Sequence, residues 1–296
     1  MIDAHVHAVD FLQDTGDPSA LLGCMDEADV DAAVVFGLAY KKKWSRLEPQ
    51  RPAYYLDDEA SCYPWVATDE AVARFVERAD RPDRLAATVC GIEPTDLDAP
   101  RRVDRLLTEG PFVGVGELLL RHGRLSTHVL GERARAEHEA VVGIVDVCAR
   151  HGVPVAIHNN GGSTGQGATA YVDEMEFLLG RRGDVDVVWC HAGISGEGVG
   201  RSPEDIDALL GRHPRLHIDL SWSATEALAD PDEIDAEWLE VVAGHPLRFV
   251  WGSDSVGHFE DLPSKAATFR RFLDQLPPQA RTDVASANAR RLWFDR

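Results

Sequence analysis

Lysine is nearly absent. It stands only at Lys41, Lys42, Lys43 and Lys265, and the rest of the 30 basic residues are arginine. Fifty acidic residues outnumber the basic ones and give a formal charge of −20, which excludes a broad cationic surface for a nucleic-acid backbone. The five cysteines, Cys24, Cys62, Cys90, Cys148 and Cys190, include no C-x-x-C pair. Neither a zinc knuckle nor a disulfide framework is legible, so a reducing cytoplasm is the expected compartment. No run of about 18 apolar residues occurs, and Met1-Ile-Asp-Ala-His-Val-His is not a basic start leading into an apolar stretch. Neither export nor membrane insertion is expected. A Gly-rich phosphate turn after the first apolar run, the mark of an open dinucleotide-binding sheet, is also missing.

What is present is a globular balance of 44% hydrophobic and 27% charged residues over 296 positions. Short β-branched runs recur at Ile2 to His5, Ala32 to Phe36, Leu85 to Cys90, Phe112 to Glu117, Val153 to His158, Val185 to His191, Leu216 to Leu220 and Arg248 to Trp251. Helical periodicity lies between most of them, from Ser19, from Thr68, and over Glu137 to Arg150, Tyr171 to Arg182, Pro203 to Arg212, Glu237 to Ala243 and Leu262 to Leu276. Eight alternating units predict an α/β fold, a single closed (β/α)8 TIM barrel over residues 1–296. The long stretch 37–67 after strand two, rich in lysine, Trp44, Tyr54, Tyr55, Tyr63 and Trp65, is expected to cover the C-terminal mouth as a lid.

The ends of the strands carry the chemistry. His5 and His7 are two apart, so the pleat sends both imidazoles to one side. Alone this is a weak signal, because with 12 histidines an H-x-H somewhere in the chain is roughly an even bet by chance. Yet strand four ends in Glu117, strand five in His158, strand six in His191 and strand eight in Asp254. Every one is a metal-ligand type at the face where barrel enzymes keep their sites. Imidazole with carboxylate suits zinc, manganese, iron or cobalt; a divalent metal, zinc first, is expected. Cys190 neighbours His191 and by strand alternation should point away, against a helix.

The ordered set Asp3-Ala-His5-Val-His7, Gly116-Glu117, Pro154-Val-Ala-Ile-His158, Cys190-His191-Ala-Gly193, Gly252-Ser-Asp254 and Asn288-Ala-Arg-Arg-Leu292 resembles the amidohydrolase superfamily of metal-dependent barrel hydrolases. Within it the chain is most similar to the amidohydrolase-2, or carboxymuconate-semialdehyde-decarboxylase-like, group. The resemblance implies that His5, His7, His158 and Asp254 hold a metal, with His191 binding a second ion or acting beside the first. Two-metal relatives use a carboxylated lysine or a glutamate on strand four as a bridge. No lysine lies between Lys43 and Lys265, so Glu117 is the bridging candidate, and two ions are favoured over one.

Hydrolysis of an amide, lactone or other ester by metal-activated water is the function this pattern predicts, with Asp254 moving the proton and His191 steadying the oxyanion. Decarboxylation of an aromatic or unsaturated acid is the alternative. Arg121, His122, Asn159 and Trp222 are the expected substrate contacts, and Arg121 with the run Lys41 to Lys43 could hold an anion. The expected partner is a small molecule, with no nucleic acid and no membrane; a homo-oligomer is left open.

Overall fold

The structure is a computed structural model that describes residues 1–47, 49–123, 125, 134–196, 198–200, 202–229 and 234–295. Its strands, in chain order, are β1 (Ile2–His7), β2 (Ala32–Phe36), β3 (Tyr40–Lys42), β4 (Cys62–Pro64), β5 (Leu85–Ala87), β6 (Val115–Leu119), β7 (Val155–His158), β8 (Val187–Trp189), β9 (Leu216–Asp219), β10 (Phe249–Val250) and β11 (Ser255–Val256). Two parallel sheets, in the orders β11-β1-β2-β5 and β10-β9-β8-β7-β6, form the wall. A parallel bridge between Val89 and Val115 joins them on one side. On the other, Ala4 N–H donates to Trp251 O at 2.8 Å. The alternation of short apolar runs with helices thus produces the closed barrel that it predicts.

Two apolar layers hold this wall. Outward residues such as Val6, Val35, Val187 and Ile218 pack under the helices, while Ile2, Ala4, Val34, Val188 and Val250 fill the interior. Ala289, Leu292 and Trp293, from the helix Asn288–Trp293, close the interior at the N-terminal end. Helix starts follow their capping chemistry: Asp17 accepts from Ser19 N–H, Ser202 from Asp205 N–H, and Asp235 from Glu237 and Trp238 N–H. One helix, Ala99–Glu109, falls where no helix was expected. Its apolar residues Ala99, Val103, Leu106 and Leu107 fall at helical spacing and pack against the core, a signal the sequence did offer.

The 37–67 excursion contains an antiparallel pair, β3 with β4. Its interior corrects the expectation of an anion-binding lysine run. Lys42 is buried, and its Nζ donates to Ala53 O at 3.0 Å, to Asp58 Oδ1 at 2.8 Å and to Tyr55 O. It therefore holds the excursion together. Lys41 lies over the Trp65 ring at 4.4 Å and Arg51 over Trp44 at 5.7 Å, so those two tryptophans serve the excursion's own packing.

Candidate metal centre

Three interruptions of regular strand geometry bring the strand ends together. In β1 the register against β2 shifts between Asp3 and Val6, so Ala4 and His5 both face inward and His7 follows, while Val6 turns to the outer layer. Asp3 Oδ1 secures the shift by accepting from His5 N–H at 3.0 Å and Ser253 N–H at 2.9 Å. Burial pushes the Asp3 carboxyl up to about 6. Across from it, a Cβ on Gly252 would come within 2.3 Å of His5 Cβ, so only glycine lets the segment after β10 approach this closely. In β6 a similar shift falls between Val115 and Leu118. Gly116 there has φ 133° and leaves no room for a Cβ, which would sit 2.6 Å from Ala156 O.

The third interruption corrects the orientation expected of Cys190. β8 stops at Trp189, and the next four residues form a tight turn with φ 56° at His191 and 53° at Ala192. Alternation ends with the strand, so Cys190 and His191 both face inward. Cys190 joins the interior layer and lies close to His5 and Asp219. Burial, then the carboxylates of Glu117, Asp219 and Asp254, keeps its sulfur a thiol far above the usual range.

Within this pocket His5 Nε2 and His7 Nε2 are 3.1 Å apart. Asp254 Oδ1 is 3.2 Å from His7 Nε2 and 3.6 Å from His5 Nε2. Glu117 sits among the imidazoles: Oε1 is 2.9 Å from His158 Nδ1, 3.3 Å from His191 Nε2 and 3.8 Å from His5 Nε2, and Oε2 is 3.6 Å from His7 Nε2. His5, His7 and Asp254 are close enough to share one ion, as are His5, Glu117 and His191. His158 enters the cluster through Glu117, its Nε2 being turned to Asn160 Oδ1 at 3.1 Å.

The outer partners fix which nitrogen faces inward. His7 Nδ1 donates to Gly37 O at 2.9 Å and His5 Nδ1 to Asp219 Oδ2 at 2.8 Å, since neither oxygen can give a proton. Ser221 Oγ donates to Asp219 Oδ2 at 2.6 Å and so accepts from His191 Nδ1 at 2.8 Å. Three inward Nε2 lone pairs therefore face one another and two carboxylates. Only cations, protons or metal, reconcile such a set. The electrostatics agree: although burial opposes it, Glu117, Asp219 and Asp254 push His5 up to about 10. Glu117 and Asp254 are held low despite burial, chiefly by His158 and His5 for Glu117 and by His5 and His7 for Asp254. Among the described residues no lysine or arginine pairs with these carboxylates. The donor set fits a divalent metal.

Asp219 and Ser221 hold these imidazoles yet were not among the residues expected at the centre. The signal was available, because β9 ends in Ile-Asp and runs on into Leu-Ser at the same face as the other strand ends.

A void of about 20 Å³ at the centre is lined by His7, Glu117, His122, His158, His191 and Asp254, among others. Tyr55 and Trp222 line this void and also two larger cavities, of about 230 Å³ and about 300 Å³. The 230 Å³ cavity is bounded by His122, Asn160, Ser163 and Ser195, and the 300 Å³ cavity by Asp254, His258 and Lys265. His122 is buried, and burial, with His158 beside it, pushes its imidazole down to about 3. Two expected substrate contacts fall elsewhere. Arg121 donates to both carboxylate oxygens of Glu174, at 2.5 and 3.1 Å, and lies over Tyr171, so its charge is already matched. Asn159 is fully buried behind the wall, its carbonyl accepting from Trp189 Nε1 at 2.7 Å, and Asn160 takes the place at the cavity.

The family model described as amidohydrolase matches residues 2–294. No curated protein matches the sequence. Among solved structures the chain is similar to a probable 2-pyrone-4,6-dicarboxylic acid hydrolase from Acinetobacter baumannii with citric acid bound, at 15% identity and a TM-score of 0.60, covering 98% of both chains. It is similar to 2,6-dihydroxybenzoate decarboxylase from Rhizobium at 16% identity and a TM-score of 0.56, covering 98% of this chain and 97% of the other. A further likeness is to an amidohydrolase from Burkholderia multivorans with bound zinc, at 16% identity and a TM-score of 0.58, covering 98% of both chains. With its barrel, its converging imidazoles and carboxylates, and a family match over nearly its whole length, the chain belongs to the amidohydrolase family and is a metal-dependent enzyme.

Proposed function

We propose that the protein hydrolyses an amide, lactone or other ester bond of a small molecule. The observation that carries this reading is the convergence of three inward imidazole lone pairs on two carboxylates, with Asp254 also open to a substrate-sized cavity. His5, His7, His191 and Asp254 would hold the metal, zinc being the ion proposed, with His158 drawn in through Glu117. Glu117 lies between the His5/His7 pair and the His158/His191 pair, the position a bridging carboxylate would need. When bound, a divalent ion supplies Lewis acidity that brings the pKa of water to about 7.

The protein's own groups perform the remaining tasks. Asp254 reaches both the central void and the 300 Å³ cavity, so it can take a proton from the attacking water and return it to the leaving group. His191 is held through Ser221 and Asp219 with its Nε2 turned to the centre, as a metal ligand must be. Tyr55, His122, Asn160 and Trp222 orient the substrate. Decarboxylation of an aromatic or unsaturated acid is the alternative, and the metal centre is equally compatible with it.

Product analysis tests the choice. Esters, lactones and amides are incubated with the zinc-loaded enzyme in ¹⁸O-labelled water, and aromatic acids are assayed for carbon dioxide. One labelled oxygen per turnover supports hydrolysis; carbon dioxide from the acids, with no turnover of the esters, lactones or amides, overturns it.

A further inference from the structure

His122 stands just above the metal centre, bordering the space a substrate would enter. The backbone after β6 is pinned to that after β7, Leu120 N–H donating to His158 O at 2.9 Å and Asn160 N–H to Arg121 O at 2.8 Å. This fixes His122 with its ring stacked on His158, centroids 4.5 Å apart and planes 12° from parallel, and with Trp222 6.1 Å away. Leu125 N–H donates to His122 Nδ1 at 3.4 Å. Because Nδ1 accepts, the hydrogen of the neutral ring is on Nε2. Among the described residues none accepts from that Nε2–H, although the ring borders both the central void and the 230 Å³ cavity.

The rest of that cavity narrows the ligand. Tyr55 and Trp222 offer flat aromatic walls, Asn160, Ser163 and Ser195 offer uncharged polar groups, and the one acidic lining residue, Glu226, would repel an anion. The nearby guanidinium of Arg121 is matched by Glu174.

We propose that His122 is a specificity residue whose Nε2–H donates to an oxygen on a planar, uncharged ring of the substrate, selecting cyclic compounds such as lactones and lactams. The inference deepens the hydrolytic reading and rests on it for the identity of the scissile bond. Binding to this cavity, however, needs no turnover. His122 acts here as a donor, with Phe and Gln separating its two properties: phenylalanine keeps the stack and loses the N–H, and glutamine restores a donor without the ring.

The test is calorimetric titration of the zinc-loaded protein with 2-quinolone, a planar lactam that resists hydrolysis, together with metal analysis of each variant. Wild type should bind it, His122→Phe should weaken binding about ten-fold, the loss of one hydrogen bond to a buried acceptor, and His122→Gln should recover most of the loss. Metal content should be equal in all three. No binding by wild type, equal binding by His122→Phe, no recovery in His122→Gln, or loss of metal in His122→Phe would each overturn the proposal. A protein that binds 2-quinolone in this pattern yet cleaves no ester, lactone or amide would overturn the hydrolytic reading alone.

Discussion

Two buried histidine–carboxylate pairs stand at opposite ends of the barrel, and they behave in opposite ways. At the mouth, His5 Nδ1 meets Asp219 at 2.8 Å; at the N-terminal end, His217 Nε2 meets Asp186 at 3.1 Å. Both histidines are almost wholly buried. His5 is pushed up because Glu117, Asp219 and Asp254 together outweigh burial. His217 is pushed down by burial with the help of Arg248 and Arg291, and Asp186 is shared with Arg215 at 3.1 Å. Histidine beside carboxylate is therefore no mark of a metal site. The mark is negative charge without a permanent cation, facing lone pairs held inward by outer partners.

Substitutions at the two ends should separate accordingly. Asp254→Asn should give the largest effect, a loss of turnover of about 10³-fold with the fold intact by circular dichroism, as expected when a group serves as both base and acid. A variant near the wild-type rate would remove Asp254 from the chemistry. Asp219→Asn, which weakens the hold on His5 and Ser221, should lower metal affinity about 10- to 100-fold in chelator competition. Unchanged affinity would show that the outer partners do not set the imidazoles.

Asp186→Asn should leave metal affinity unchanged and lower stability by on the order of 2 kcal/mol, the worth of a carboxyl brought from 3.8 to about 2. Burial opposes that shift, and His217 and then Arg215 drive it. Because the folded value is depressed, its stabilisation is present above about pH 3.8 and lost as pH falls through about 2. Urea midpoints of wild type and variant should therefore converge across that window; a gap that persists below it contradicts the assignment. Smallest of all, Cys190→Ala should cost about 1 kcal/mol for the space left and leave metal content unchanged. Lost metal would make the thiol a ligand.

The barrel was legible because most of its wall strands are short β-branched runs and the alternating helices show apolar faces, Ala99–Glu109 included, although that helix was not expected. The strand ends were legible for the same reason, and they do bring His5, His7, Glu117, His158, His191 and Asp254 into one pocket. What the sequence hides is where a side chain finds its partner. Lys42 and Arg121 look like free cations, yet one holds the excursion together and the other is matched by Glu174. Parity fails wherever a strand stops, as at Cys190, and by one residue at Asn159 and Asn160, which lie just past the end of β7. Tyr55 reaches the centre from a segment whose path no local pattern specifies.

The central claim is that the mouth is built around a cation, and metal analysis of protein purified without chelator tests it most directly. At least one equivalent of a divalent metal per chain is expected, retained in Asp186→Asn and lost when His5 and His7 are both changed to alanine. A preparation free of metal and fully active would contradict the account.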